Sequence, residues 1–246
     1  MIWIIASLLS FTVCAKPLIV GSKKFTESVV LGEILRLSLQ TEGKSSEHRQ
    51  EIGGTSILWN ALKTGDIDLY PEYTGTIEEE LLRKKTKNLD ELRVLLKAEG
   101  IGISSPLGFN NTYALGIKNK MATEKNIRTI SDLKLYPELK LGLSGEFLER
   151  KDGWPGLSQT YQLTQKKIQG IDHDVAYRAM EQGDIDVVDL YSTDAEIAYY
   201  DLFPLEDDLG YFPNYQAVVL YRLPLEETLA PLFERLAGKI PNQRMI

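Results

Sequence analysis

The chain has 246 residues, 43% of them apolar, and a formal net charge of −7 at pH 7. That is enough apolar material for one large or two medium hydrophobic cores, and the acidic balance argues against nucleic acid and anionic lipid as partners. Cys14 is the only cysteine, so neither an internal disulfide nor a thiolate metal cluster can form.

Residues 1–15 carry no charged side chain, run apolar from Ile2 to Leu9 and less strictly to Val13, and end in Val13-Cys14-Ala15 before Lys16. At ~1.5 Å per helical residue this stretch is too short to span a bilayer comfortably. It reads as an export signal cleaved after Ala15, with lipid attachment at Cys14 as the rival reading. The rest is then expected in the periplasm or on the extracytoplasmic surface.

Leu18-Ile19-Val20 before Gly21-Ser22 reads as a short buried strand, after which Thr26 is placed to cap a helix with Val30, Ile34 and Leu37 on one apolar face. Gly53-Gly54-Thr55-Ser56 repeats the plan, its hydroxyls available as caps before Ile57, Leu58, Ala61 and Leu62. The segment Ala61-Leu62-Lys63-Thr64-Gly65-Asp66-Ile67-Asp68 is echoed by Ala179-Met180-Glu181-Gln182-Gly183-Asp184-Ile185-Asp186. Each copy reads as a helix ended by a left-handed glycine and followed by a strand. Each strand leads to tyrosine and threonine, Tyr73 and Thr74 in one copy, Tyr191 and Thr193 in the other. Two α/β lobes of similar construction are implied, each offering strand ends to a shared crevice, where open α/β sheets bind ligands.

Tyr113 to Ile117 and Tyr215 to Tyr221 are extended apolar runs preceded by Asn110-Asn111 and Pro213-Asn214, and they read as crossings between the lobes. Lobe one is therefore assigned residues 17–112 plus 217–246, and lobe two residues 113–216.

Little supports catalysis. His48 and His173 sit among charged neighbours and read as solvated surface residues, and there is no metal-spaced histidine pair, nucleophile elbow or phosphate-binding glycine loop. Asp66/Asp68, Asp184/Asp186 and Glu78-Glu79-Glu80 read as turn and solvated charges. Tyrosine stands out, with 12 against 7 Phe and 3 Trp. Tyr73, Tyr113, Tyr191 and Tyr215 fall in loops or at strand ends. Their electron-rich faces suit a trimethylammonium group, which cannot donate hydrogen bonds.

Val20-Gly21-Ser22-Lys23-Lys24-Phe25-Thr26-Glu27, Gly54-Thr55, Gly65-Asp66-Ile67-Asp68-Leu69-Tyr70-Pro71-Glu72-Tyr73-Thr74-Gly75-Thr76 and Asp189-Leu190-Tyr191-Ser192-Thr193-Asp194 together resemble the glycine betaine, choline and carnitine binding proteins of osmoprotectant ABC importers. The resemblance runs from about Leu18 to Ile240. It implies a two-lobed, type II-like periplasmic-binding α/β fold with two crossover hinges, near residues 110–116 and 213–219, that closes on its ligand. It also implies a membrane permease as partner, a monomer, and neither cofactor nor metal. The family's ammonium cage falls on Tyr73, Tyr113, Tyr191 and Tyr215, and its carboxylate grip on Lys23, Thr76 and Arg150. Asn111 departs from the aspartate of many relatives, keeping a backbone carbonyl near the ammonium but removing a negative charge. An enzyme on this scaffold lacks a nucleophile and base, and a sensory module signalling to a membrane receptor is the alternative function.

Overall fold

The computed structural model describes residues 16–245, so the expected export signal lies outside the described residues. The chain folds as β1 (Leu18–Lys23), α1 (Thr26–Thr41), β2 (Ser46–Gly53), α2 (Thr55–Thr64), β3 (Leu69–Tyr73), α3 (Thr74–Thr76), a π-helical turn Ile77–Leu81, α4 (Leu89–Ala98), β4 (Ile101–Ile103) and β5 (Tyr113–Lys118). It continues through α5 (Asn119–Lys125), β6 (Lys140–Leu143), α6 (Gly145–Glu149), α7 (Trp154–Tyr161), β7 (Lys167–Gly170), α8 (His173–Gln182), β8 (Val187–Tyr191), α9 (Glu196–Tyr199), β9 (Leu202–Pro204), β10 (Ala217–Arg222) and α10 (Glu226–Leu236).

Two five-stranded sheets result, ordered β2-β1-β3-β10-β4 and β7-β6-β8-β5-β9. They match strand for strand. In each, two parallel strands lead to a central strand, β3 or β8, which pairs antiparallel with the next. The sequence repeat sits at the same place in both. Gly65 (φ +81°) ends α2 and Gly183 (φ +79°) ends α8 in the left-handed conformation that glycine adopts without a Cβ clash.

The aspartates that close the two repeats are not solvated charges. Asp68 accepts from the backbone N–H of Ile19 at 2.8 Å, and Asp186 accepts from that of Lys140 at 2.8 Å, so each carboxylate locks its central strand to the start of the neighbouring one.

Between the sheets run the two chain crossings, and they lie side by side. Asn110 and Gln216 form an antiparallel bridge, the Asn111 N–H donates to the Tyr215 carbonyl at 3.1 Å, and the Asn110 side chain accepts from the Tyr215 N–H at 2.7 Å.

Three local expectations are corrected. Thr26 does not cap α1: Phe25 is the extended N-cap residue, and no side chain caps the helix there. The buried face of α1 is Ser28, Leu31, Gly32, Leu35 and Leu39, whereas Val30 and Leu37 are exposed. Both rows have helical periodicity, but only the second includes small residues that let the helix approach the sheet. A Cβ on Gly32 would lie 2.3 Å from the His48 ring. Nor do Thr55 or Ser56 cap α2, whose N-cap is Gly54. The N–H of Thr55 instead donates to the Glu146 carboxylate, 3.2 Å away and brought from the other lobe.

Candidate functional site

Strand register determines which rings can meet. Tyr113 opens β5 and Tyr191 closes β8, and the two are direct cross-strand partners. Opposite residues on one face of a sheet bring their side chains together, and these rings lie 5.1 Å apart. Tyr215, in the second crossing, meets Tyr113 edge-on at 5.6 Å. It can do so because Gly75 has no side chain: a Cβ there would sit 2.7 Å from the Tyr215 ring. Tyr73 ends β3 and is linked to the others through Phe25, whose ring lies 6.4 Å from Tyr73 and 5.3 Å from Tyr191. Phe147 and Phe212 close around Tyr113 at 5.1 and 6.0 Å. The structure thus brings three of the four tyrosines into direct contact and reaches the fourth through a phenylalanine that sequence reasoning passed over. Tyr73, Tyr113 and Tyr215 are buried.

The polar residues fall into two groups. Arg150 is buried and forks onto Asp152, with Nε to Oδ1 at 2.9 Å and Nη2 to Oδ2 at 2.5 Å. Both terminal nitrogens also lie 3.4 Å from the Thr76 hydroxyl, across the seam between the lobes. The guanidinium stands 5.6 Å from the Tyr113 ring centre, and Asp152 accepts from the Tyr215 hydroxyl at 2.6 Å. Arg150 is therefore not in a surface pair with Glu146 or Glu149. Lys23 belongs to the second group. Its ammonium donates to Glu72 at 2.6 Å and to Thr55 at 2.9 Å, and lies 5.7 Å from the Tyr73 ring centre. Lys23 and Glu72 are both buried, so each of the two expected carboxylate-binding cations brings a carboxylate of its own.

Asn111 donates through Nδ2 to Glu27 at 2.8 Å. Its Oδ1 is buried without a hydrogen-bond partner among the described residues. Glu27 also accepts from the Tyr73 hydroxyl and, at 2.5 Å, from Thr193 in the other lobe. The seam borders three cavities. One of about 200 Å³ touches Lys23, Phe25, Glu146, His173 and Tyr191, and one of about 340 Å³ touches Thr55, Glu80, Glu146 and Arg150. The third, about 500 Å³, has Glu27 and Thr193 in its wall. Among the described residues no cluster of histidine, cysteine and carboxylate is arranged to hold a metal ion.

The histidines are not at the surface. His48 packs beneath α1 and shares hydrogen bonds with Ser22 at 2.9 Å and Glu33 at 3.2 Å. His173 lies against the Tyr191 ring at 4.5 Å, with Nε2 3.0 Å from Asp194 and Nδ1 3.9 Å from Asp189. Asp194 also accepts from the Tyr191 N–H at 2.7 Å, so this cluster holds the end of β8. Burial disfavours the imidazolium, but Asp194 and Asp189 outweigh it and raise the His173 pKa to about 9.

The folded value lies above that of free histidine, about 6.5. The stabilisation is therefore complete below that pH and is lost as the pH climbs through about 9. Urea unfolding should show stability falling by up to about 3 kcal/mol between pH 6.5 and 10 in the parent. A His173→Gln variant should show a flatter profile; an unchanged slope would contradict the pairing.

Two sheets of matched order joined by paired crossings, with an aromatic and ion-paired seam between them, define the type II fold of periplasmic binding proteins. The chain belongs to the family described as the substrate binding domain of ABC-type glycine betaine transport systems, whose model it matches over residues 16–246. It is 36% identical over 243 residues to the ergothioneine transport permease/ergothioneine binding protein of Helicobacter pylori, covering 94% of this chain and 43% of that one. The chain thus spans less than half the length of that relative. It is 30% identical over 239 residues to a carnitine transport binding protein of Listeria monocytogenes, covering 92% of this chain and 78% of the relative. The crystal structure of a glycine betaine/carnitine/choline ABC transporter superposes with a TM-score of 0.72 at 26% identity, covering 93% of this chain and 89% of that one.

Proposed function

We propose that this chain is the extracytoplasmic solute-binding component of an ABC importer and captures a betaine, a trimethylammonium carboxylate, between its lobes. The observation that carries this reading is the contiguous cluster of Tyr113, Tyr191 and Tyr215 with the Arg150 guanidinium and Thr76 hydroxyl on its flank. The rings supply faces for the ammonium, with Tyr73 as the fourth member of the cage and Asn111 beside it. Each face contributes roughly 0.5 to 2 kcal/mol when water is excluded, enough together for micromolar binding.

Arg150 uses Nε and Nη2 on Asp152, while Nη1 has, among the described residues, only the long contact to Thr76. It therefore keeps donor capacity for a ligand carboxylate, with Thr76 and Lys23 completing the grip. Closure about residues 110–116 and 213–219 would report occupancy to the permease. Glycine betaine is the favoured ligand. The Helicobacter relative also favours a second reading, a betaine with a larger arm such as ergothioneine.

Calorimetric titration with glycine betaine, carnitine, ergothioneine, choline, ectoine and proline separates these. A trimethylammonium carboxylate should bind at micromolar concentration and more tightly than choline or proline. No heat from any trimethylammonium compound would end the proposal.

A further inference from the structure

Three carboxylates of the seam are paired with cations. Glu72 holds Lys23, Asp152 holds Arg150, and Asp194 holds His173. Glu27, in the first turn of α1, accepts its three side-chain hydrogen bonds from neutral groups: the Tyr73 hydroxyl, the Asn111 amide and the Thr193 hydroxyl. Two of these donors are proposed members of the ammonium site, so the carboxylate stands directly behind it. A buried charge needs an opposite charge nearby, or it shifts toward its neutral form.

We infer that Glu27 is the anion of the ammonium site, a specificity-determining residue whose missing counter-ion is the quaternary ammonium of the ligand. The inference rests on the betaine reading above. It also accounts for Asn111. The negative charge absent at that position is supplied one hydrogen bond away, and the amide serves to aim it.

The surrounding charges agree. Burial raises the Glu27 carboxyl above its ordinary range, against the hydrogen bonds from Thr193, Tyr73 and Asn111, and the nearby Asp194 raises it further. Asp194 and Glu196 face the adjoining cavity from the turn after β8, and Lys239 and Arg244 face it from the C-terminal segment. A bound ammonium lowers the Glu27 pKa, so binding expels a proton and affinity grows as the pH rises through the raised value.

The test uses glycine betaine and its carbon isostere 3,3-dimethylbutanoate, which keeps the carboxylate but lacks the cationic nitrogen, titrated from about pH 5 to 8. In the parent, betaine affinity should fall as the pH is lowered toward 5, and calorimetry in two buffers of different ionisation enthalpy should detect proton release. Glu27→Gln should lower betaine affinity at least tenfold at pH 8, flatten the pH profile and shrink the preference for betaine over the isostere. Thr193→Val, which removes a hydrogen bond but no charge, should keep that preference and the pH slope. If Glu27→Gln fails to fold, proton release by the parent decides. Parent binding with no release and no pH slope, or a Glu27→Gln variant with parental discrimination, overturns the assignment while leaving the betaine reading intact. A parent that binds no trimethylammonium compound at any pH overturns the betaine reading itself.

Discussion

Arg150→Ala combined with Asp152→Asn is expected to weaken glycine betaine about a hundredfold and choline less than about fivefold, because only the betaine presents a carboxylate to the guanidinium. Truncating one partner of a buried, hydrogen-bonded charge pair costs about 2 to 5 kcal/mol. The second substitution is needed because Asp152 is itself buried and holds the Tyr215 hydroxyl. Arg150→Ala alone would strand that carboxylate at a cost of about 3 to 5 kcal/mol in stability, and the cage would be disturbed along with the carboxylate site. Asparagine keeps an acceptor for Tyr215 and removes the stranded charge. Titration of the double variant with both ligands checks the point; equal losses would refute the role given to Arg150.

The second large effect is on folding. Glu72→Gln should destabilise the protein by about 3 to 5 kcal/mol, because Lys23 then keeps its charge in the interior with no anion to face. Lys23→Met should do the same from the other side, leaving Glu72 without a cation. Lys23→Met combined with Glu72→Gln should recover most of the loss, since the amide oxygen can still accept from the Tyr73 N–H, as Glu72 does at 3.0 Å. A urea-denaturation cycle over the four proteins measures this; additive losses would show that the pair is not a unit.

The parts of the fold legible in the chain were those written in short stretches. The helix-glycine-strand echo announced two lobes of equal construction because a helix stop and a strand start are local events, and the two sheet orders match as the echo required. Local periodicity misled where two rows of one helix were both apolar. Choosing between Val30-Ile34-Leu37 and Leu31-Leu35-Leu39 depended on Gly32 meeting His48, a residue from the next strand. The histidines were misread for a similar reason. Charged neighbours in sequence point away from the ring on a strand or helix, so Glu47 and Arg49 said nothing about what His48 faces.

For the site, the chain showed which residue types were present but not their partners. Tyr113 and Tyr191 stood out as aromatic strand ends, and only strand register made them cross-strand neighbours. Asp152, Glu72 and Glu27 went unassigned, although Glu27 lies in the same short string as Lys23. Its bonds to Tyr73, Asn111 and Thr193 join three distant parts of the chain, and no spacing rule reports such a meeting.

The amide of Thr55, bonded to Glu146 from the opposite lobe, has a consequence for measurement. When the lobes part, that N–H loses its carboxylate and water takes its place. Deuterium uptake at this single position therefore becomes a gauge of how often the jaws gape, readable on the unlabelled protein with any solute in the tube.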